Sequence, residues 1–337
     1  MIYKKLILAL LLFPTLIHAQ KVLIFSSKLE KIDSANWGYN IDKVIDARSA
    51  ITKNYLGRVQ TGVFNSKNDA VLEKSLASEL DKVIKSILPE VEDSMHLILK
   101  INRLKIWEQT FLATEEAYAF ADFELILKRD TNYYLIDKHN GFIRKRSGWD
   151  VTGSHLPNIV LILKESLNAF QKNQSWLKSD TTFQKLSIQD CLNKNVPQIT
   201  MDSVKQKGIY KHFGEFLDNN PKMPLAFTKV DGEKVLMVTD ESGQRVALSR
   251  PDDVWGFCDG KDVFVGQNGN FFPIKFTNGK AQFKGYDVQK QVKRQQTGAV
   301  LFGIIGAAVA SASQGSKEWL EIDMDSGQTF PSKEEKK

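Results

Sequence analysis

Asp231-Gly232, Ser242-Gly243, Asp259-Gly260, Asn268-Gly269 and Asn278-Gly279 punctuate the second half of the chain and leave room between them only for short strands. The runs between and beside them (AFTKV, KVLMVT, RVALS, DVWGFC, DVFVG, FFPIKF and AQFKGY) are rich in β-branched and aromatic residues. Such residues suit a pleated, half-buried surface. Reversal at each dipeptide pairs neighbours antiparallel, so residues 206–330 are predicted to form a β-meander, curled into a sheet or small barrel. Just ahead of it, HFGEFLDNNPKMP reads as a short helix stopped by Asn219-Asn220-Pro221.

The first half follows a different pattern. VLIFSS (Val22–Ser27) and NIDKVIDAR (Asn40–Arg48) read as strands, followed by a loop carrying Gly57 and Gly62. A helix is then predicted from Asp69, its N-cap, to Pro89, with Val71, Leu72, Leu76, Leu80, Val83, Ile84 and Ile87 on one face. Three extended runs follow, His96–Gln109, Ala117–Lys128 and Asn132–Val151, the last containing Asn140-Gly141, a tight-turn signal. Pro157 opens a second helix, PNIVLILKESLNAFQ, with Ser154 or Asn158 as its cap. The order β-β-α-β-β-β-α implies a mostly antiparallel sheet with both helices on one face, an α+β domain over residues 20–172. Polar residues 173–205, broken by Pro197, read as a linker.

The strand IDKVIDAR, its glycine loop, the amphipathic helix and the long antiparallel strands resemble YajG-like envelope lipoproteins and auxiliary-lipoprotein sheet-and-helix domains. The resemblance implies an envelope accessory module rather than an enzyme. The lipobox cysteine of those lipoproteins is missing, so lipid tethering is not expected. In the second half, GIYKHFGEFLDNNP, VWGFCDGKDVFV and EIDMDSGQTF together resemble an uncharacterised domain of secreted Bacteroidota proteins, which implies a fold and an exported address but no activity.

The N-terminus points the same way. Lys4 and Lys5 precede the apolar run Leu6–Ile17, and Ala19 offers a small residue at a cleavage site, so residues 1–19 read as a secretory signal peptide. The exported protein is placed in the periplasm or cell envelope, in contact with the outer membrane in one version of this reading. Its two cysteines, Cys191 and Cys258, could pair in an oxidising compartment or stay separately buried. The net charge of +6 and pI near 9.0 come from scattered Lys and Arg without interleaved stacking aromatics, which argues against a nucleic-acid partner.

TGAVLFGIIGAAVASASQG (residues 297–315) is uncharged and small-residue-rich. Ala299, Gly303 and Ala307, with Gly306 and Ala310, would form a smooth ribbon on a helix, where a second backbone can approach closely. Lys290, Lys293 and Arg294 would lie on the wrong side for an exported chain crossing the inner membrane. The segment is therefore expected to pack against protein, either this chain's own domains or a second copy, with membrane association the less favoured outcome. PSKEEKK, reaching residue 337, reads as a disordered tail.

Common chemistries find no pattern. His96, His139, His155 and His212 show no ligand spacing, with His96 opening a strand and His139 in a turn. Gly-Xaa-Ser-Xaa-Gly, phosphate loops and dinucleotide fingerprints are missing. Glu321, Asp323 and Asp325 alternate as residues of one solvated strand face would. No catalytic residue, cofactor or metal is expected. Trp255 and Phe257 are expected to share one strand face, as core or as a ligand platform. The reading is a non-enzymatic exported envelope accessory or interaction protein, with an envelope partner or self-association. The alternatives are a component anchored through residues 297–315, and a hydrolase of unrecognised type.

Overall fold

The computed structural model describes residues 20–26, 28–32, 38–50, 52–61, 66–88, 91, 95–110, 114–173, 184–189, 205–223, 225, 227–231, 234–239, 242, 244, 254–267, 270–277, 279–287 and 316–332. The signal-peptide stretch, Cys191, nearly all of the small-residue ribbon's surroundings and the ribbon residues themselves lie outside them, as do the tail beyond 332 and most of the expected linker.

In the first half the elements are β1 (Gln20–Leu23), β2 (Tyr39–Asp46), β3 (Tyr55–Thr61), β4 (Ser66–Leu72), α1 (Leu76–Ile87), β5 (Met95–Thr110), β6 (Glu115–Arg129), β7 (Asn132–Ser147), α2 (His155–Lys172) and β8 (Gln184–Leu186). They build one sheet in the order β1-β4-β3-β5-β6-β7-β8, with β2 also paired to β5. Most of its ladders are antiparallel, including the long β5-β6 and β6-β7 pairs, but β1 runs parallel to β4, and both β2 and β3 run parallel to β5.

The expected glycine loop is strand β3, whose Leu56 and Val59 are buried. Its partner β4 corrects the first helix. Ala70, Val71 and Leu72 fall in phase with the helical residues that follow, yet they are strand residues paired to β3 and β1. The N-cap is Ser75, whose hydroxyl accepts from Ser78 N at 3.4 Å, not Asp69. From there Leu76, Leu80, Val83, Ile84 and Ile87 are buried at helical spacing, with Lys82–Glu79 and Lys85–Asp81 pairs on the wet side. Both helices contribute to the same aliphatic core as Leu97, Leu99, Ile101, Phe123 and Leu125 of the long strands.

Asn140 and Gly141 do not form a turn. They sit mid-strand in β7, opposite Asp122 and Ala121, and His139 with them. The glycine is required by packing: a Cβ on Gly141 would come 2.4 Å from Ile162 Cγ2 of α2. The turn signal is real chemistry put to another use, since a residue without a side chain lets the helix close on the sheet.

The motif Val44-Ile45-Asp46-Ala47-Arg48 also has a packing role. Arg48 grips Asp46 with two hydrogen bonds, Nε–Oδ1 at 2.9 Å and Nη2–Oδ2 at 3.1 Å. Its Nη1 donates to the Tyr55 and Leu104 carbonyls at 2.7 and 3.2 Å. One buried guanidinium thus ties the end of β2 to β3 and β5, with its charge neutralised in place.

The second half comprises β9 (Gly208–Tyr210), α3 (Phe213–Leu217), β10 (Phe227–Asp231), β11 (Lys234–Thr239), β12 (Gly256–Cys258), β13 (Val263–Gln267), β14 (Asn270–Pro273), β15 (Lys275–Thr277), β16 (Lys280–Gly285), β17 (Glu318–Ile322) and β18 (Thr329–Pro331). Short antiparallel strands appear as predicted, β10 with β11, β12 with β13, β13 with β14 and β15 with β16. They do not make one meander among the described residues. They form the hairpin β10-β11 and two separate four-stranded sheets, β14-β13-β12-β9 and β15-β16-β17-β18. The first sheet closes on β9 and the second on β17, partners distant in sequence that turn spacing cannot disclose. The expected linker likewise holds β8, which adds to the edge of β7.

Candidate functional site

Two stretches of the sequence carry an excess of apolar surface. Val22-Leu23-Ile24-Phe25 is apolar on both faces of a strand, and Ile159-Val160-Leu161-Ile162-Leu163 is apolar around a whole helical turn. A strand or helix covered on one side needs only half of these. The structure shows where the surplus goes. Leu23 is buried, while Val22 and Ile24 are 51% and 75% exposed. On α2, Ile159, Ile162 and Leu163 enter the core and Leu161 stays 45% exposed.

The segment after β1 crosses the helical layer and is fixed near its far end to both helices. Ile32 N donates to Ile87 O of α1 at 2.8 Å, and Lys164 Nζ of α2 donates to Glu30 O at 3.2 Å. Between this segment and α2 runs an open groove of about 570 Å³. Its walls are Leu23, Ile24, Phe25 and Leu29 on one side and Leu156, Pro157, Val160 and Leu161 on the other, with Lys28, Glu30 and Lys164 at the rim. The volume lies within the usual span of ligand sites, and the lining is apolar with a few polar groups, as such sites are. Among the described residues, β1 is the edge strand of the sheet beside it.

The end of the groove is held by buried polar contacts. His155, fully buried at the start of α2, meets Glu108 Oε1 of β5 through Nε2 at 2.9 Å. The other oxygen of Glu108 accepts from Gln60 N of β3 at 2.5 Å. Asp150 takes the Thr152 N–H at 2.8 Å, and that bond holds its carboxyl below the usual range. Thr152 and Gly153, between these two anchors, form part of the groove wall. A histidine with no ligand spacing in sequence is therefore a fastening residue, joined to a carboxylate 47 positions away.

The residues singled out from sequence are distributed differently. Trp255 and Phe257 do not share a surface: Trp255 packs on Phe216 and Phe213, with centroids 4.5 and 5.4 Å away, whereas Phe257 stacks on Phe264 at 4.6 Å and meets Phe271 edge-on at 5.2 Å. They enter two different hydrophobic clusters. Ala299, Gly303, Gly306, Ala307 and Ala310 lie outside the described residues. Cys258 is a free, buried thiol whose pKa burial raises. Asp323 is not on a strand face. It closes the turn after β17, accepting from Asp325 N at 3.0 Å and Ser326 Oγ at 2.8 Å, and it pairs with Lys105 of β5. Glu321 pairs with Lys280 at 3.1 Å.

Among the described residues, no group of three or more His, Cys, Asp or Glu side chains is placed to hold a metal ion. Nor is any described helix long and apolar enough to cross a membrane.

No family model matches the chain, and no curated protein matches it. Solved structures offer loose likenesses. A protein of Xanthomonas campestris described under the DUF330 family is 11% identical over 44% of this chain and 92% of its own, with a TM-score of 0.29. An uncharacterized protein is 11% identical over 48% of this chain and 100% of its own, with a TM-score of 0.23. A minor lipoprotein of Acinetobacter baumannii is 10% identical over 33% of this chain and 85% of its own, with a TM-score of 0.18. Likenesses at this level establish neither family nor function.

Proposed function

We propose that this protein is a non-enzymatic, exported accessory of the cell envelope that holds an extended apolar segment of a partner protein. The observation that carries this reading is the groove between α2 and the segment after β1. Its apolar walls are continuous with the open edge of β1, where main-chain donors and acceptors are free to take another strand among the described residues. Exposed Val22 and Ile24 make that edge unusually apolar, since edge strands are commonly blunted by charge. A peptide strand satisfies both features at once. It would pair with β1 and place alternate side chains in the groove.

A photo-crosslinking residue at position 161, compared with one at Lys85 on the wet face of α1, tests this in intact envelopes. The expected result is an adduct with one protein, found at position 161 and not at 85. An adduct with lipid or with a second copy of this chain would replace the proposed occupant, and equal labelling at both positions would remove the groove from the account. The exported address has its own check: envelope-located protein should begin at Gln20, and retention of Met1 would overturn it. Hydrolysis of ester, amide or glycoside probes above a heat-unfolded control would defeat the non-enzymatic part.

A further inference from the structure

The face of the sheet turned away from the two helices is organised in rows across β5, β6 and β7: Lys100–Glu124–Lys138, then Arg103–Asp122–Asn140, then Lys105–Phe120–Phe142, then Trp107–Tyr118–Arg144. The second half of the chain sits on the middle of this face. Phe213 of α3 meets Phe120 edge-on at 5.9 Å, and His212 stacks over Phe142 at 6.4 Å. Gly214 stands directly over Asn140, where a Cβ would come within 2.3 Å of its side-chain oxygen. Asp218, at the end of α3, accepts from Asn140 Nδ2.

Charge accounting along this seam leaves one imbalance. Glu124 has Lys100 and Lys138 at 3.5 and 3.4 Å, Asp323 has Lys105, and Glu215 has the Lys211 N–H at 2.8 Å with His212 Nε2 at 3.5 Å. Asp122 and Asp218 remain, and both lie beside the single guanidinium of Arg103, which bonds Asp122 directly. The other groups facing the pair are Glu124, Lys138, Lys222 and His212.

We propose that Asp122 and Asp218, sharing Arg103 across the seam between β6 and α3, form a proton-sensitive latch that fastens the second half of the chain to the sheet. Asp122 and Asp218 repel each other in a desolvated place, and one proton on the pair removes that repulsion. The titrations agree in direction. Burial, opposed by Arg103, raises Asp122 to about 6, and burial raises Asp218 as well. An undocked aspartate ionises near its ordinary value, so the docked form binds the extra proton. Docking is therefore favoured on the acid side and weakens as pH rises towards and through about 6. His212 works in the opposite sense: burial lowers it, so docking excludes its charged form and is penalised once the pH falls below the ordinary histidine range. Below the ordinary histidine range the two effects oppose each other, so the aspartate pair is read with His212 replaced by a residue that does not titrate.

Hydrogen exchange of the full-length protein between about pH 5 and pH 8, scaled for the intrinsic pH dependence of exchange, tests the proposal. Protection of the amides of α3 should fall by a factor on the order of 10 across this range in His212→Gln, where only the aspartate pair titrates, while those of α1 stay level. Asp122→Asn should flatten the profile of α3. Should that variant fail to fold, Asp218→Asn, which relieves the pair from the other side, should flatten it instead. A level profile in His212→Gln overturns the latch, and so does a folded aspartate variant in that background with an unchanged slope.

Discussion

The helices α1 and α2 cover the same face of the same sheet, but their surfaces differ. α1 is a narrow amphipath: five buried aliphatic residues, two ion pairs on the wet side, and a serine cap that uses its hydroxyl. α2 is longer and apolar all round over the turn Ile159–Leu163, and its cap position, Ser154, makes no side-chain capping bond. It is fastened instead by the buried His155–Glu108 contact and by Tyr39, whose hydroxyl donates to Leu167 O at 3.0 Å. A helix whose ends and stripe match its own sequence needs nothing further. One that carries Leu161 in solvent and a groove alongside has surface left over for something else.

Variants can break this contrast, beginning with the largest effect. Leu80→Ala in α1 removes a side chain fully within the core and should cost about 2–5 kcal/mol in chemical unfolding. A loss under about 0.5 kcal/mol would show that α1 contributes little to the common core. Gly141→Ala should lever α2 off the sheet, because Ile162 is β-branched and cannot swing clear. The expected cost is about 1–3 kcal/mol, and an unchanged melting curve would show that the helix shifts freely. The caps should separate the helices more finely: Ser75→Ala at the lower end of about 0.5–2 kcal/mol, given its 3.4 Å bond, and Ser154→Ala with no measurable change. Equal losses at the two serines would erase the distinction. Leu161→Gln should alter stability by less than about 0.5 kcal/mol while abolishing partner capture in the groove; a large stability loss would mean that Leu161 belongs to the core after all.

Much of the local architecture was legible from the chain itself. The alternation of Leu97, Leu99 and Ile101, the spacing of Leu76, Leu80, Val83 and Ile87, and the turns at Asp259-Gly260 and Asn278-Gly279 all follow from rules acting within about ten residues. The groove was half legible. The sequence shows that Val22–Phe25 and Ile159–Leu163 carry more apolar surface than one core can use, but nothing in either stretch says that they face each other.

Where local rules misled, a distant residue had changed the outcome. Asn140-Gly141 has the composition of a hairpin turn, yet Ile162 needs the space above the glycine and Asp218 needs the amide. Trp255 and Phe257 have the spacing of one strand face, yet Phe216 draws one ring and Phe264 the other. Ala70–Leu72 keep helical phase with α1 but gain their hydrogen bonds from β1 and β3. By itself the sequence determined periodicity, chain reversal and the amount of apolar surface to be hidden, because these depend on backbone sterics and side-chain type alone. Only the tertiary structure decided which surfaces hide one another, which carboxylates share Arg103, and which part of α2 stays open, because burial and charge pairing are properties of residues brought together from far apart in the chain.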